Sequence, residues 1–155
     1  QFSLYTLRRL GLWVDQFGVP DLVHWNNGIH DVGHCEQRGP KQFSLDDYLA
    51  NLGFIFEGLK TLGPGRVIFA LTTPVRYGAD WSGRGWSWSN EEIDAYNAAA
   101  RTFMESRSVP INDLNAVVRS DPDRLLSEDN LHLSDAGKQA CAEKVVKALE
   151  AYLPS

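Results

Sequence analysis

The 155 residues amount to one domain's worth of chain, enough to bury a sizeable core and too few for two. A hydrophobic fraction of 43%, with no low-complexity tract and no solenoid-period repeat, gives an ordinary globular composition and excludes a disordered chain. A formal charge of -5 leaves no basic face for nucleic acid or an anionic membrane, and the longest apolar run, VIFAL at residues 67–71, is far too short to span a bilayer.

In chain order, Phe2, Leu4, Leu7, Leu10 and Trp13 fall near helical spacing, and Gly18 and Pro20 stop the pattern. This opening helix is already under way at residue 1, so any targeting segment is expected to lie upstream. DLVHWNNG then reads as a short strand opening into a polar loop. A second helix starts at Ser44, with Asp47 three residues later, and stops at Gly63. RVIFALTTP is almost wholly apolar and β-prone, the pattern of a strand covered on both faces of a parallel sheet. VRYGADWSGRGWSWS, rich in Gly, Ser and Trp, reads as a long loop. Ser89 and Glu92 form a capping box for a helix running to about Arg107, SVPINDL is a short strand, and NAVVRSDPDRLLSEDN is helical turn and loop. Ser134 caps a last amphipathic helix. Alternation of helix and strand predicts a single α/β domain over residues 1–155, a parallel sheet between helical layers, with ligands bound beyond the carboxyl ends of the strands.

Two polar clusters follow predicted strands and therefore meet at that face. In the first, EDNLHLSDAG, Asp129 stands three residues before His132, so its carboxylate can hold the Nδ1 proton and leave Nε2 as a base. The same spacing also suits an Asp that merely caps a turn. In the second, HWNNGIHD, Asn26 or Asn27 can donate to an oxyanion, with Gly28 permitting close backbone approach, although Asn-Gly is equally a plain turn. His24, His30, His34 and Asp31 offer an alternative as metal ligands, but Gly33 and the lack of a helical pattern weaken it, and no metal or other cofactor is expected. Cys35 and Cys141 have no metal-type spacing and read as free thiols, with nothing around Cys35 arranged to make a thiolate. Trp81, Trp86 and Trp88 suit stacking on a sugar ring or walling an acyl pocket. A hydrophobic lid or an oligomer contact would use them equally well.

Together HWNNGIHD, IFALTTPV, YNAAARTFMESRSVPINDL and DNLHLSDAGKQACAEKV resemble the SGNH, or GDSL-type, hydrolases, nearest the bacterial branch with an Asn-x-Gly-x-His-Asp third block. The resemblance covers essentially the whole chain and implies a flavodoxin-like three-layer sandwich, with Asp129 and His132 as acid and base of a catalytic triad. It puts His30 where the family's oxyanion asparagine stands, so that Asn26 takes the oxyanion role one turn earlier while His30 assists or binds substrate. Asn27 and the tryptophans would then contact substrate.

The family's Gly-Asp-Ser block and its oxyanion glycine are not found in this sequence: Ser134 is a helix cap and Ser3 lies in a helix. A strand, helix and strand of roughly 30 residues or more would carry them. In a flavodoxin-like order the first strand lies beside DLVHWNN, so residues 21–27, from Asp21 to Asn27, are expected to form a bare apolar edge. That edge would be covered by a missing N-terminal segment or by another copy of the chain. The resemblance implies an ester hydrolase acting on a small-molecule or carbohydrate ester, with the serine outside these residues and the 155-residue chain inactive alone. The alternative is a non-catalytic relative that binds carbohydrate.

Overall fold

The computed structural model describes residues 1–152. Its strands are β1 (Leu22–Trp25), β2 (His34–Cys35), β3 (Arg66–Ala70), β4 (Trp86–Ser87) and β5 (Ile111–Asn112). The helices are α1 (Ser3–Phe17), α2 (Ile29–Val32), α3 (Leu45–Leu62), α4 (Asn90–Glu105), α5 (Leu114–Arg119), α6 (Pro122–Leu125) and α7 (Asp135–Glu150). β1, β3 and β5 form a parallel sheet in the order β1-β3-β5, with Trp25 opposite Phe69 and Ala70 opposite Asn112. The apolar run in β3 is central for a physical reason: Ile68, Phe69 and Ala70 are all buried, so side chains on both faces leave water. This is the α/β architecture expected from the alternating pattern.

Trp25 meets Phe69 edge-on at 5.0 Å, and around them Tyr48, Leu52 and Ile55 of α3 join Ile93, Ala100 and Met104 of α4 in the main core. A smaller cluster of Val118, Leu125, Leu126 and Cys141 is gathered by α5, α6 and α7. Cys35 and Cys141 are buried free thiols. No described helix is long and apolar enough to cross a membrane.

The helix starts follow their capping residues. Ser44, Ser89 and Ser134 accept from the amides of Asp47, Glu92 and Gly137, and Gly63 ends α3 in the left-handed region at φ 76°. α1 has no local cap, since Phe2 offers no side-chain acceptor; the Ser3 amide is bonded instead by Asp31, 28 residues away. α4 stops at Glu105 instead of reaching Arg107, where Ser108 at φ 57° turns the chain. The tryptophan segment is also less irregular than expected: β4 pairs antiparallel with β2, setting Trp86 against Cys35 and Ser87 against His34.

Among the described residues β1 pairs on one side only. Its other edge borders a groove of about 390 Å³, lined by Leu10, Trp13 and Phe17 of α1, by residues 23–26, and by Ile55, Leu59 and Leu62 of α3. Phe17 is 75% exposed there, an apolar side chain without a cover.

Candidate active site

The short loop between α6 and α7 is built to hold one carboxylate and one imidazole. Leu126 and Leu133 form an antiparallel bridge, the Ser127 amide donates to the His132 carbonyl at 2.7 Å, and Asn130 takes φ 70°, a conformation asparagine tolerates. Within the loop, Asp129 Oδ1 accepts from the Ser127 hydroxyl (2.7 Å) and from the amides of Leu131 (2.9 Å) and His132 (2.8 Å). Asp129 Oδ2 lies 2.6 Å from His132 Nδ1. Burial alone would raise the Asp129 pKa, but these hydrogen bonds outweigh it and hold the carboxyl well below the usual carboxylate range. An ionised Asp129 can only accept, so Nδ1 carries the proton and Nε2 is left with its lone pair. The His132 side chain is 76% exposed, and among the described residues no hydroxyl is bonded to its Nε2.

From outside, the loop is braced by the Arg84 guanidinium, which donates to the Asp129 carbonyl at 2.7 Å, and by the Arg76 amide, which donates to the Asn130 carbonyl at 3.0 Å.

The Asn-Asn-Gly turn after β1 distributes its side chains by packing. Asn26 is exposed at the groove beside β1, and one of its amide hydrogens goes to the Ala70 carbonyl at 2.8 Å. Asn27, expected to meet substrate, is instead buried: its Oδ1 accepts from the Trp25 indole at 2.7 Å and its amide donates to the Gln1 carbonyl at 3.1 Å. Both ends are thus occupied inside the fold. Gly28 is required by a close approach: at φ 150°, an added Cβ would sit 2.2 Å from Thr72 Oγ1.

α2 follows at once and sends adjacent residues opposite ways. Asp31 points inward, fully buried, and accepts from the Ser3 amide and, at 2.6 Å, from the Ser3 hydroxyl. His30 lies half-buried beside the stacked rings of Phe2 and Trp86, edge-on to both at 5.5 and 5.9 Å. Burial is the first cause that lowers the His30 pKa, and positive charge from the Gln1 amino group, 3.2 Å from Nδ1, and from Arg38 adds to it, so the neutral ring is favoured.

His30 and His132 share one cleft of about 370 Å³, with Ile29, Thr73, Trp86, Trp88, Leu131 and Leu133 as the rest of its lining. Trp86 and Trp88 stack face to face at 5.5 Å with 9° between their planes, and the Trp88 indole is anchored on the Ile29 carbonyl at 2.7 Å. Trp81 stands behind them, its indole donating to the Trp88 carbonyl at 3.0 Å, and it lines a different pocket. The structure therefore gathers Asp129, His132, His30, Trp86 and Trp88, and leaves Asn26 at the groove, Asn27 inside and Trp81 behind the wall.

The residues weighed as metal ligands are engaged separately. His24 Nε2 lies 3.0 Å from Asn112, His34 bonds Glu92 at 3.0 Å, and Asp31 holds Ser3. Among the described residues no three His, Cys, Asp or Glu side chains are gathered around a common point. Sequence reasoning missed Thr73 and Arg84. Thr73 lies just past the carboxyl end of β3, the place where this fold class binds ligands, whereas nothing in the sequence near Arg84 points to Asp129.

Comparison with solved structures finds the same fold repeatedly. A lipase/acylhydrolase from Enterococcus faecalis aligns with a TM-score of 0.78 at 19% identity, over 99% of this chain and 73% of that one. A GDSL-like lipase from Bacteroides thetaiotaomicron gives 0.78 at 21%, over 99% and 73%. A mutant of an acetylxylan esterase from Geobacillus stearothermophilus gives 0.74 at 21%, over 95% and 67%. At such identities the likeness establishes the fold. No curated protein sequence matches the chain significantly. The family model that does match, the GDSL-like Lipase/Acylhydrolase family, runs over residues 3–140, from the start of α1 into α7 and through both polar clusters. The chain belongs to the GDSL-like lipase/acylhydrolase family.

Proposed function

We propose that this domain hydrolyses carboxylic esters by two-step acyl transfer, on short acyl groups including those carried by carbohydrate. The observation that carries the reading is the 2.6 Å contact between Asp129 and His132 Nδ1, beside a cleft walled by stacked indoles. A serine hydroxyl attacks the ester carbonyl while His132 Nε2 takes its proton. The tetrahedral intermediate then collapses as His132 returns that proton to the leaving alcohol, and water repeats the sequence on the acyl-enzyme. Asp129 fixes the tautomer and stabilises the imidazolium. The second amide hydrogen of Asn26 and the neutral ring of His30 serve the developing oxyanion. Trp86 and Trp88 supply an aromatic wall against which the acyl group or a sugar ring packs.

The serine is proposed to arrive on an extended segment pairing with the free edge of β1. Such a strand, running parallel to β1, would end beside Asn26 and the turn that leads to His30. Both the unpaired backbone of β1 and the apolar groove beside it suit that occupant.

The test is nitrophenyl acetate hydrolysis by the full gene product, with fluorophosphonate labelling and peptide mapping. His132→Ala and Asp129→Asn are each expected to lower kcat by about 10²–10⁴-fold, the range seen for triad members elsewhere. Hydrolysis indifferent to His132→Ala would remove the esterase reading. Labelling of a serine among these 155 residues would remove the delivery of the nucleophile at the β1 edge. Glycan binding without hydrolysis would favour the non-catalytic alternative.

A further inference from the structure

The backbone just past β3 is held by asparagine side chains in place of a neighbouring strand. Asn97 both accepts from the Thr72 amide (2.9 Å) and donates to the Thr72 carbonyl (2.8 Å), as a strand neighbour would. Asn90, seven residues earlier and so on the same face of α4, does the same for Val75 at 3.0 and 2.9 Å. Asn115 of α5 adds a second donor to the Thr72 carbonyl at 2.8 Å. All three asparagines are buried. The Thr72 hydroxyl turns inward to the Asn27 carbonyl at 3.4 Å, and Pro74 is buried.

One residue of this clamped segment is left over. Thr73 is half-buried, its hydroxyl has no hydrogen-bond partner among the described residues, and it lines the cleft with His30 and His132. The other walls are Ile29, Trp86, Trp88, Leu131 and Leu133, which are apolar or aromatic. Three polar side chains thus face a ligand there, and two of them already have roles in the reading above. A hydroxyl on a backbone fixed from both sides is a pre-organised hydrogen-bonding group, since little freedom is lost when it engages a ligand.

We propose that Thr73 is a substrate-contacting residue whose hydroxyl donates to an oxygen of the bound ester, with Asn90, Asn97 and Asn115 as the positioning residues that aim it. This inference rests on the proposed ester hydrolase function. The probe is N-acetylglucosamine, whose amide carbonyl stands for the ester carbonyl and resists hydrolysis, in the cleft walled by Trp86 and Trp88. Binding is followed by NMR at the His132 ring and the Trp86 indole in the full chain.

Thr73→Val, which keeps the shape and removes the hydroxyl, is expected to weaken binding about five- to tenfold, with Thr73→Ser within about twofold of wild type. Thr73→Ala provides the second hydroxyl-free variant should valine disturb the fold, which a melting curve reports. Equal affinity in the hydroxyl-free variants, with wild type binding, overturns the role of Thr73 and leaves the esterase reading standing. Absence of any shift at His132 in wild type overturns the proposed contact, whereas the esterase reading falls only with hydrolysis indifferent to His132→Ala.

Discussion

The bond between Asp31 and Ser3 carries a prediction that can be worked through in numbers. Asp31 is fully buried, receives the Ser3 amide at 3.0 and 3.1 Å on its two oxygens, and receives the Ser3 hydroxyl at 2.6 Å. Hydrogen bonds to a charged acceptor contribute about 1.5–3 kcal/mol, and a buried carboxylate short of a donor loses more than the bond. Ser3→Ala should therefore destabilise by about 2 kcal/mol. Asp31→Asn, which turns an amide N–H towards the start of α1 or leaves an amide unpaired, should destabilise by about 3 kcal/mol. For a domain of this size about 3 kcal/mol corresponds to a melting temperature lower by about 6–12 °C.

The assay is urea unfolding of wild type, both single variants and the double variant, followed by circular dichroism. Coupling of about 1.5–3 kcal/mol is expected, and a value under about 0.5 kcal/mol would refute the claim that this pair stitches α1 to the turn bearing His30. Burial raises the Asp31 pKa, although the Ser3 hydrogen bonds oppose it. A raised carboxyl keeps its proton longer in the fold than in the unfolded chain. This contribution to stability is thus present below the unfolded value of 3.8 and falls as pH rises through the folded pKa. Asp31→Asn should abolish that part of the pH dependence.

Two further outcomes follow from the cleft and from α1. His30 should titrate below its ordinary value in an NMR pH series, so the fold takes up that proton later than the unfolded chain does at 6.5, and stability should decline as pH falls from about 6.5 through the folded pKa; a His30 midpoint at or above 6.5 would contradict desolvation of the ring against Phe2 and Trp86. Gly28→Ala, whose Cβ meets Thr72 Oγ1 at 2.2 Å, should cost about 2–3 kcal/mol in denaturant unfolding, whereas Gly11→Ala in mid-α1, with nothing within 4 Å of the new Cβ, should stabilise by about 0.5–1 kcal/mol. Equal effects from the two substitutions would contradict the close approach at the Asn-Gly turn.

Legibility in the sequence followed the range of the interactions. The caps at Ser44, Ser89 and Ser134 lie within a few residues of their partners, so spacing announced them, while the spacing of Asp129 and His132 suited a paired imidazole and a turn cap alike, and Asp129 does both. The burial of Asn27 was not readable, because it depends on Trp25 and on the carbonyl of Gln1, brought together only by docking α1. The pairing of β2 with β4 escaped for a related reason: two residues on each side, separated by more than fifty positions, leave no periodicity to detect. Trp86 and Trp88 reached the cleft while Trp81 did not, a distinction set by long-range anchoring, the Trp88 indole on the Ile29 carbonyl 59 residues away and the Trp81 indole on Trp88 itself, and not by composition. Thr73 was hidden by the asparagine clamp, since side chains standing in for a strand carry no signal in the segment they hold.

The loop bearing Asp129 and His132 is self-contained in a way that His30 is not. The Asp129 carboxylate and the His132 ring are aligned by bonds that begin and end within six residues, from Ser127 to His132, so their mutual orientation is a local property of the backbone. Slow opening of the distant edge beside β1 would leave that alignment untouched while moving His30 away from it, because His30 is carried by α2 and tied through Asp31 to α1. Under the proposed function, proton-transfer geometry and oxyanion recognition are thus separable by temperature or denaturant: the second should fade while the first persists. A graft of these six residues onto another α/β scaffold would carry the Asp129–His132 contact with it and leave His30 behind.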